Sequence, residues 1–228
     1  RGLRVAEPGE VPGGRGVGDP VAQRGRARGP RAHVLGTPGR GLEDAQGSLA
    51  GGRTVLAAGC LGLANLVSVH GLAVSTVAAT GNLGGIARLC EMLVAGERRD
   101  EPALLSTAIT EPGAGTDAED AELLKTARLS CEARPVSRGY LLSGRKVFIS
   151  NGSLAAAHVV IMPTDRRRPV ETMEVFLVPA GTKGLSIGRV EHKMGQRACP
   201  AAELVFEDCF VSEQDRLSGV PIARRGLE

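Results

Sequence analysis

Between Thr54 and Ala87 the chain carries no formally charged residue. Leu61, Leu63, Leu66, Val67 and Val69 are apolar, and Ile86, Leu89, Met92 and Leu93 recur at i, i+3, i+6 and i+7, the spacing of a buried helical stripe. The pattern predicts helix over 54–98. Gly71, Gly81, Gly84 and Gly85 predict its division into two or three pieces, and Ala95-Gly96-Glu97 predicts its stop, since glycine suits a C-terminal cap. After Pro102 the pattern changes to short runs of Val, Ile, Leu and Phe parted by Gly, Pro, Asp or Asn, which predict strands. They cover 104–109, 127–133, 140–149, 157–163, 174–178, 185–190 and 202–206. Ser143-Gly144 inside the third suits a turn or a bulge. Consecutive short strands predict a barrel or sandwich. From Glu213 onward the alternation is lost.

Composition adds boundaries. Residues 1–50 are dominated by Gly, Pro and Arg and show almost no apolar pattern, so they cannot bury enough surface to offset their ordering entropy. A disordered segment is expected there. The fold class is therefore α+β. Residues 51–103 are expected to be part of a helical domain, 104–212 a mainly antiparallel β-barrel domain, and 213–228 a connection to a further domain. Only 2% of residues are aromatic, so Ala, Val and Leu must fill the core. The uncharged stretch is long enough to cross a bilayer, yet Asn65, His70 and its many glycines make it a poor lipid-facing helix. Buried helices and no membrane span are expected.

The net charge of +3 is too small to argue for nucleic acid or an anionic membrane. The five cysteines, Cys60, Cys90, Cys131, Cys199 and Cys209, form no CxxC pair, which predicts reduced thiols and a cytoplasmic protein. His33, His70, His158 and His192 lack ligand spacing, so no metal site is expected. No apolar run opens the chain, so no signal peptide is expected, and Arg1 in place of an initiating Met suggests a fragment.

The sharpest segment is Ala108-Ile109-Thr110-Glu111-Pro112-Gly113-Ala114-Gly115-Thr116-Asp117, a strand that ends in a Gly/Pro loop with two hydroxyls. Its glycines permit close backbone approach to a ligand, and successive amides there could cradle phosphate oxygens. A tight turn is the alternative reading. A second segment, Gly144-Arg145-Lys146-Val147-Phe148-Ile149-Ser150-Asn151-Gly152, places a ring and a hydroxyl two positions apart, on one side of a strand. That pairing suits a planar heterocycle; an inward Phe at a strand end is the alternative.

Together these blocks, followed in order by Gly184-Leu185-Ser186-Ile187-Gly188-Arg189, Lys193-Met194-Gly195-Gln196-Arg197 and Leu204-Val205-Phe206-Glu207-Asp208, resemble the acyl-CoA dehydrogenase family. The resemblance covers about 55–218, weakly before Leu104. It implies a helical domain, a middle β-barrel domain and a C-terminal four-helix domain, of which this sequence holds part of the first, all of the second and none of the third. It also implies FAD. Thr107, Ala108, Ile109 and Thr110 would lie along the flavin, with Thr110 bonded to its ring, and Gly115 and Thr116 would continue along the pyrophosphate. Thr116 stands where the family has Ser and would also meet the pantetheine arm of the substrate. Phe148 stands where Trp is common and Ser150 where Thr is common; with Ile149 they would contact the ring, the Ser150 hydroxyl near flavin N5. The stretch between the two motifs is long for the family, which implies a hairpin extension near Cys131 to Arg138.

The implied reaction is α,β-dehydrogenation of an acyl-CoA thioester, with a carboxylate removing the α-proton and hydride passing to N5. The family supplies that base from its C-terminal domain. No catalytic residue is assigned here, and Glu111 is expected to be structural. The 228 residues alone are expected to be inactive. An electron-transfer flavoprotein acceptor and a homo-oligomeric full-length protein are implied. An acyl-CoA oxidase or flavin monooxygenase of the same fold, or a non-catalytic FAD/CoA-binding remnant, are the alternatives.

Overall fold

Asn82 caps a helix, its side chain accepting the Gly85 amide at 2.9 Å and so satisfying one of the open N–H groups of the first turn. In this computed structural model, which describes residues 51–118 and 120–217, three helices come first: α1 (residues 51–59), α2 (Leu61–Ala79) and α3 (Leu83–Arg98). The disorder expected over 1–50 lies outside the described residues, as do 218–228. The helices part at Cys60 and at Thr80-Gly81-Asn82, with Gly81 at φ 68. Gly71, Gly84 and Gly85 lie inside helices instead of breaking them. Gly96 does not stop α3 either. A Cβ there would stand 2.7 Å from the Glu101 carbonyl, so this glycine admits the returning chain.

Two sheets follow. β1 (Leu105–Ala108), β4 (Ala157–Pro163) and β5 (Met173–Pro179) form the first in the order β1-β4-β5, β1 parallel to β4 and β4 antiparallel to β5. β2 (Glu132–Val136), β3 (Gly139–Ser150), β6 (Leu185–Val190) and β7 (Ala201–Ser212) form the second, in the antiparallel order β2-β3-β7-β6. Successive residues of a strand point to opposite faces. Val160 and Met162 of β4 thus join Phe176, Leu142, Ile149, Leu204 and Phe206 in a core between the sheets. Val159 and Ile161 join Leu105, Val175, Ala73, Val77 and Leu89 in a second core beneath α2 and α3. β4 is buried on both faces, which explains its unbroken apolar run.

No closed barrel is found among the described residues, so the mainly antiparallel barrel expected from the sequence is not confirmed. There are two separate sheets, one of them mixed. Strand alternation states which side of a strand is apolar, not which strand is its neighbour. The strand expected at 127–133 is displaced to Glu132–Val136, where it forms the expected hairpin with β3 across Ser137-Arg138, Arg138 having φ 67. The loss of pattern after Glu213 does not exclude a core residue there. Leu217 is fully buried in the second core, and its amide donates to the Val175 carbonyl at 2.7 Å.

α2 is long and apolar enough to cross a membrane by length and composition. Its Ala64, Ala73 and Val77 are buried, and it lies against β1 and β4. Leu61, Leu63, Val67 and Leu72 are exposed, so the burial expected of this helix holds on one face only.

Ser143-Gly144 forms a bulge, not a turn. The β3–β7 register shifts between Leu142 and Gly144, and Gly144 has φ +125. A Cβ there would stand 2.6 Å from the Cys131 sulfur. Gly144→Ala is therefore expected to lower stability by about 2 kcal/mol from backbone strain and crowding together, read as a lower urea midpoint at unchanged m-value.

Candidate functional site

β1 runs into the 109–118 loop, and a two-way clasp holds that loop to β3. The Val147 amide donates to the Thr110 carbonyl at 2.9 Å, and the Thr110 hydroxyl donates to the Val147 carbonyl. The two motif segments, far apart in sequence, are thereby side by side. The hydroxyl hydrogen of Thr110 is engaged in the clasp, so lone pairs are what it offers a ligand. Immediately beyond Val147, β3 bulges again. The register against β7 shifts between Lys146 and Ile149, and Phe148 adopts φ 57. A positive φ in an aromatic residue is strained by roughly 1–3 kcal/mol and persists only where the surroundings dictate it. Phe148 is 61% exposed, Ile149 turns into the inter-sheet core, and Ser150 is half-buried.

Within the loop, Glu111 and Ala114 exchange backbone hydrogen bonds of 2.7 and 3.2 Å. The Gly115 amide is capped by the Asp117 carboxylate at 2.5 Å. These amides are thus engaged internally, which narrows the phosphate cradle expected from the sequence to Gly113, Thr116 and Asp117. The two glycines differ. A Cβ on Gly113 would stand 2.8 Å from the Arg128 carbonyl, whereas one on Gly115 would meet nothing within 4 Å. Gly113 is a packing requirement and Gly115 an open face. Thr116, half-buried, starts a short 3-10 turn, Thr116–Ala118. Thr107 carries a buried hydroxyl with no partner among the described residues. Ala108 lies fully inside the inter-sheet core, where its side chain shapes the strand.

Residues 106–209 match the family described as acyl-CoA dehydrogenase, middle domain. The short-chain specific acyl-CoA dehydrogenase of Clostridium acetobutylicum is 36% identical over 124 residues, 53% of this chain and 31% of that protein. Residues 106–209 thus form a middle domain of the acyl-CoA dehydrogenase family. The CarC subunit of the caffeyl-CoA reductase–Etf complex of Acetobacterium woodii is 31% identical, over 68% of this chain and 38% of that one. Among solved structures, butyryl-CoA dehydrogenase from Megasphaera elsdenii superposes with a TM-score of 0.61 at 28% identity, over 71% of this chain and 39% of that one. The FAD complex of PigA superposes with a TM-score of 0.60, also at 28% identity, over 71% and 39%. The chain spans about a third of the length of these relatives.

This acyl-CoA dehydrogenase middle domain contains a buried ion pair that sequence reading passed over. Lys146 Nζ lies 2.9 Å from Glu111 Oε1 and donates to the Ile109 carbonyl at 2.7 Å. Glu111 Oε2 accepts from the Ser130 amide at 2.6 Å, the Ser130 hydroxyl at 3.0 Å and the Cys131 amide at 2.9 Å. Burial pushes the Glu111 carboxyl up, but the Lys146 charge and the bonds from Lys146, Cys131 and Ser130 outweigh it and hold the pKa below the ordinary value. Burial pushes the Cys131 thiol up to about 12, leaving it un-ionised and inert. The signal for Lys146 was available. It falls on the inward alternation four residues after Leu142, where a lysine needs a partner.

The features present fit a flat, partly polar cofactor in this acyl-CoA dehydrogenase middle domain. An exposed ring at Phe148, an open backbone at Gly115 and an unpartnered buried hydroxyl at Thr107 lie on segments that the Thr110–Val147 clasp joins.

Proposed function

We propose that this chain forms part of an FAD-dependent oxidoreductase that dehydrogenates an acyl-CoA thioester between its α and β carbons. The observation that carries the reading is the clasp between Thr110 and Val147, because it brings the open-glycine loop beside Phe148 and Ser150. The FAD complex of PigA and the dehydrogenases of the same family support the cofactor and the reaction. Thr107, Ala108, Ile109, Thr110, Phe148, Ile149 and Ser150 would hold the flavin ring, and Thr116 its pyrophosphate, with Gly115 offering an open backbone face beside it in place of its engaged amide, Thr116 also meeting the substrate. FAD, when bound, supplies the hydride acceptor. The Ser150 hydroxyl would donate toward flavin N5 and stabilise the charge that builds there.

Glu111 cannot serve as base. Lys146 occupies one of its oxygens and Ser130 and Cys131 the other, and the side chain is enclosed. A base must come within hydrogen-bond reach of the substrate proton, so the reading takes it from the C-terminal domain of the family. The caffeyl-CoA reductase–Etf complex subunit supports an electron-transferring flavoprotein as redox partner. A homo-oligomeric, cytoplasmic full-length protein completes the proposal.

The test is titration of the purified chain with FAD, followed by flavin fluorescence and visible absorbance. Uptake with a shifted spectrum is expected, and Ser150→Ala is expected to weaken it about fivefold, the worth of one hydrogen bond of about 1 kcal/mol. A chain that leaves free FAD unchanged sinks the flavin reading. Turnover of any acyl-CoA with an artificial acceptor by these 228 residues would refute the missing base, and oxygen consumption by the full-length enzyme would point to an oxidase.

A further inference from the structure

Asn151 follows Ser150 at the end of β3, fully buried and at φ 61. Asparagine tolerates this left-handed backbone better than most residues, but glycine would do so as well. What glycine lacks is the side-chain amide, and here every polar atom of it is engaged. Nδ2 donates to the Leu66 carbonyl in α2 at 3.1 Å and to the Leu105 carbonyl in β1 at 3.2 Å. Oδ1 accepts the Cys199 thiol at 3.4 Å. The backbone amide donates to the Pro200 carbonyl at 2.8 Å, and the carbonyl accepts from Leu154 and Ala155 at 2.9 and 2.8 Å. The Cys199 sulfur in turn accepts from Asn65 of α2 at 3.6 Å.

One buried residue thus ties the end of β3 to a helix, to the neighbouring sheet and to the 199–200 segment. A fully satisfied buried polar group of this kind fixes a unique local arrangement. We propose that Asn151 is the positioning residue of this site: it fixes the direction of the Ser150 hydroxyl by bonding α2, β1 and Cys199 at once. The inference rests on the flavin reading above. It makes α2 more than a cover for the sheet, since that helix reaches the cofactor strand through a single side chain.

The test compares the purified 228-residue chain with Asn151→Gly, Ser150→Ala and the double variant. Without cofactor, amide hydrogen exchange is followed at Ser150 to Gly152. With FAD, affinity and flavin midpoint potential are measured. Asn151→Gly is expected to keep the parent's circular dichroism, to speed exchange at these amides about tenfold, and to weaken FAD by no more than the roughly fivefold loss of Ser150→Ala. The potential should move in the same direction as in Ser150→Ala. A residue that acts through Ser150 adds nothing once the hydroxyl is gone, so the double variant should match Ser150→Ala alone. Additive losses, an unmoved potential, or unchanged exchange in the cofactor-free chain would each overturn the inference while leaving the flavin reading intact. A parent chain that takes up no FAD overturns the flavin reading and this inference with it. Should Asn151→Gly not fold, Cys199→Ala carries the test by removing the donor to Oδ1. It should shift the potential the same way and weaken FAD about twofold, and an unshifted potential counts against the proposal.

Discussion

Replacing Lys146 by methionine is expected to destabilise the protein by about 3–5 kcal/mol at neutral pH, the usual penalty for stranding one member of a buried ion pair. The side chains of Lys146 and Glu111 are 2% and 0% exposed, so water cannot take over from the missing ammonium. Methionine fills similar space without charge. It leaves the Ile109 carbonyl and one Glu111 oxygen without their donor. The carboxyl then responds to burial, the first force acting on it, and its pKa rises above the unfolded value. A raised carboxyl favours the fold more as pH falls, so the deficit of the variant should shrink between pH 7.5 and 5. Glu111→Gln alone leaves Lys146 unneutralised and should be similarly harmful. The double variant removes both charges and should lose less than the two singles together. It will not regain parent stability, because the Ile109 carbonyl still lacks the donor that Lys146 supplied. Urea unfolding of the four proteins at both pH values measures this. A loss below about 1 kcal/mol for Lys146→Met, typical of an exposed pair, would show that the pair is not enclosed. Because Glu111 anchors the motif loop to Ser130 and Cys131, FAD uptake should fall in parallel with stability.

How far these features could be read in advance depends on what kind of order makes them. β4 was legible to the residue, since an unbroken apolar run from Ala157 to Pro163 is what burial on both faces demands. The Thr110 and Phe148 segments were legible as chemistry, because glycine, hydroxyl and ring occur there together. Their adjacency was not. It depends on a backbone clasp between Thr110 and Val147, and backbone atoms are the same in every sequence. How the strands join into sheets was not legible for the same reason, since the parallel β1–β4 pairing is set by main-chain register. Of the expected helix breaks, the one at Gly81 holds and those at Gly71, Gly84 and Gly85 do not, because glycine has two uses. Gly81 supplies a left-handed turn, whereas Gly85 and Gly96 make room for Leu217 and Ala103. Asn151 looked like the end of a motif, and only the positions of Leu66, Leu105 and Cys199 around it reveal four long-range bonded partners counting Pro200.

Acidification from pH 7 toward 4.5 is expected to remove a large part of the protein's stability before any carboxylate contributes. His158 is 1% exposed on the inter-sheet face of β4, with Nδ1 2.8 Å from the Ser106 hydroxyl and Nε2 buried without a partner among the described residues. Burial, acting alone, pushes its pKa from 6.5 down to about 4. The unfolded chain therefore takes up a proton near pH 6.5 that the folded chain refuses until about pH 4. A histidine held low in this way lends stability that is complete above pH 6.5 and is lost as the pH falls toward 4. A gap of roughly 2.5 pH units corresponds to about 3 kcal/mol. His70, whose Nδ1 accepts the Leu105 amide at 3.2 Å and whose pKa burial also lowers, adds in the same direction. Glu111 acts later: its carboxyl is held below 4.5, so its contribution fades only under that pH. The window from 6.5 to 4.5 thus belongs to the histidines, and urea midpoints measured across it isolate them. His158→Gln keeps a polar side chain but cannot titrate, and it should flatten most of the slope in that window while leaving the steeper fall below pH 4.5 in place. A parent protein whose midpoint is level between pH 6.5 and 4.5 would mean that His158 is hydrated and charges freely, and that the sheets are not closed around it.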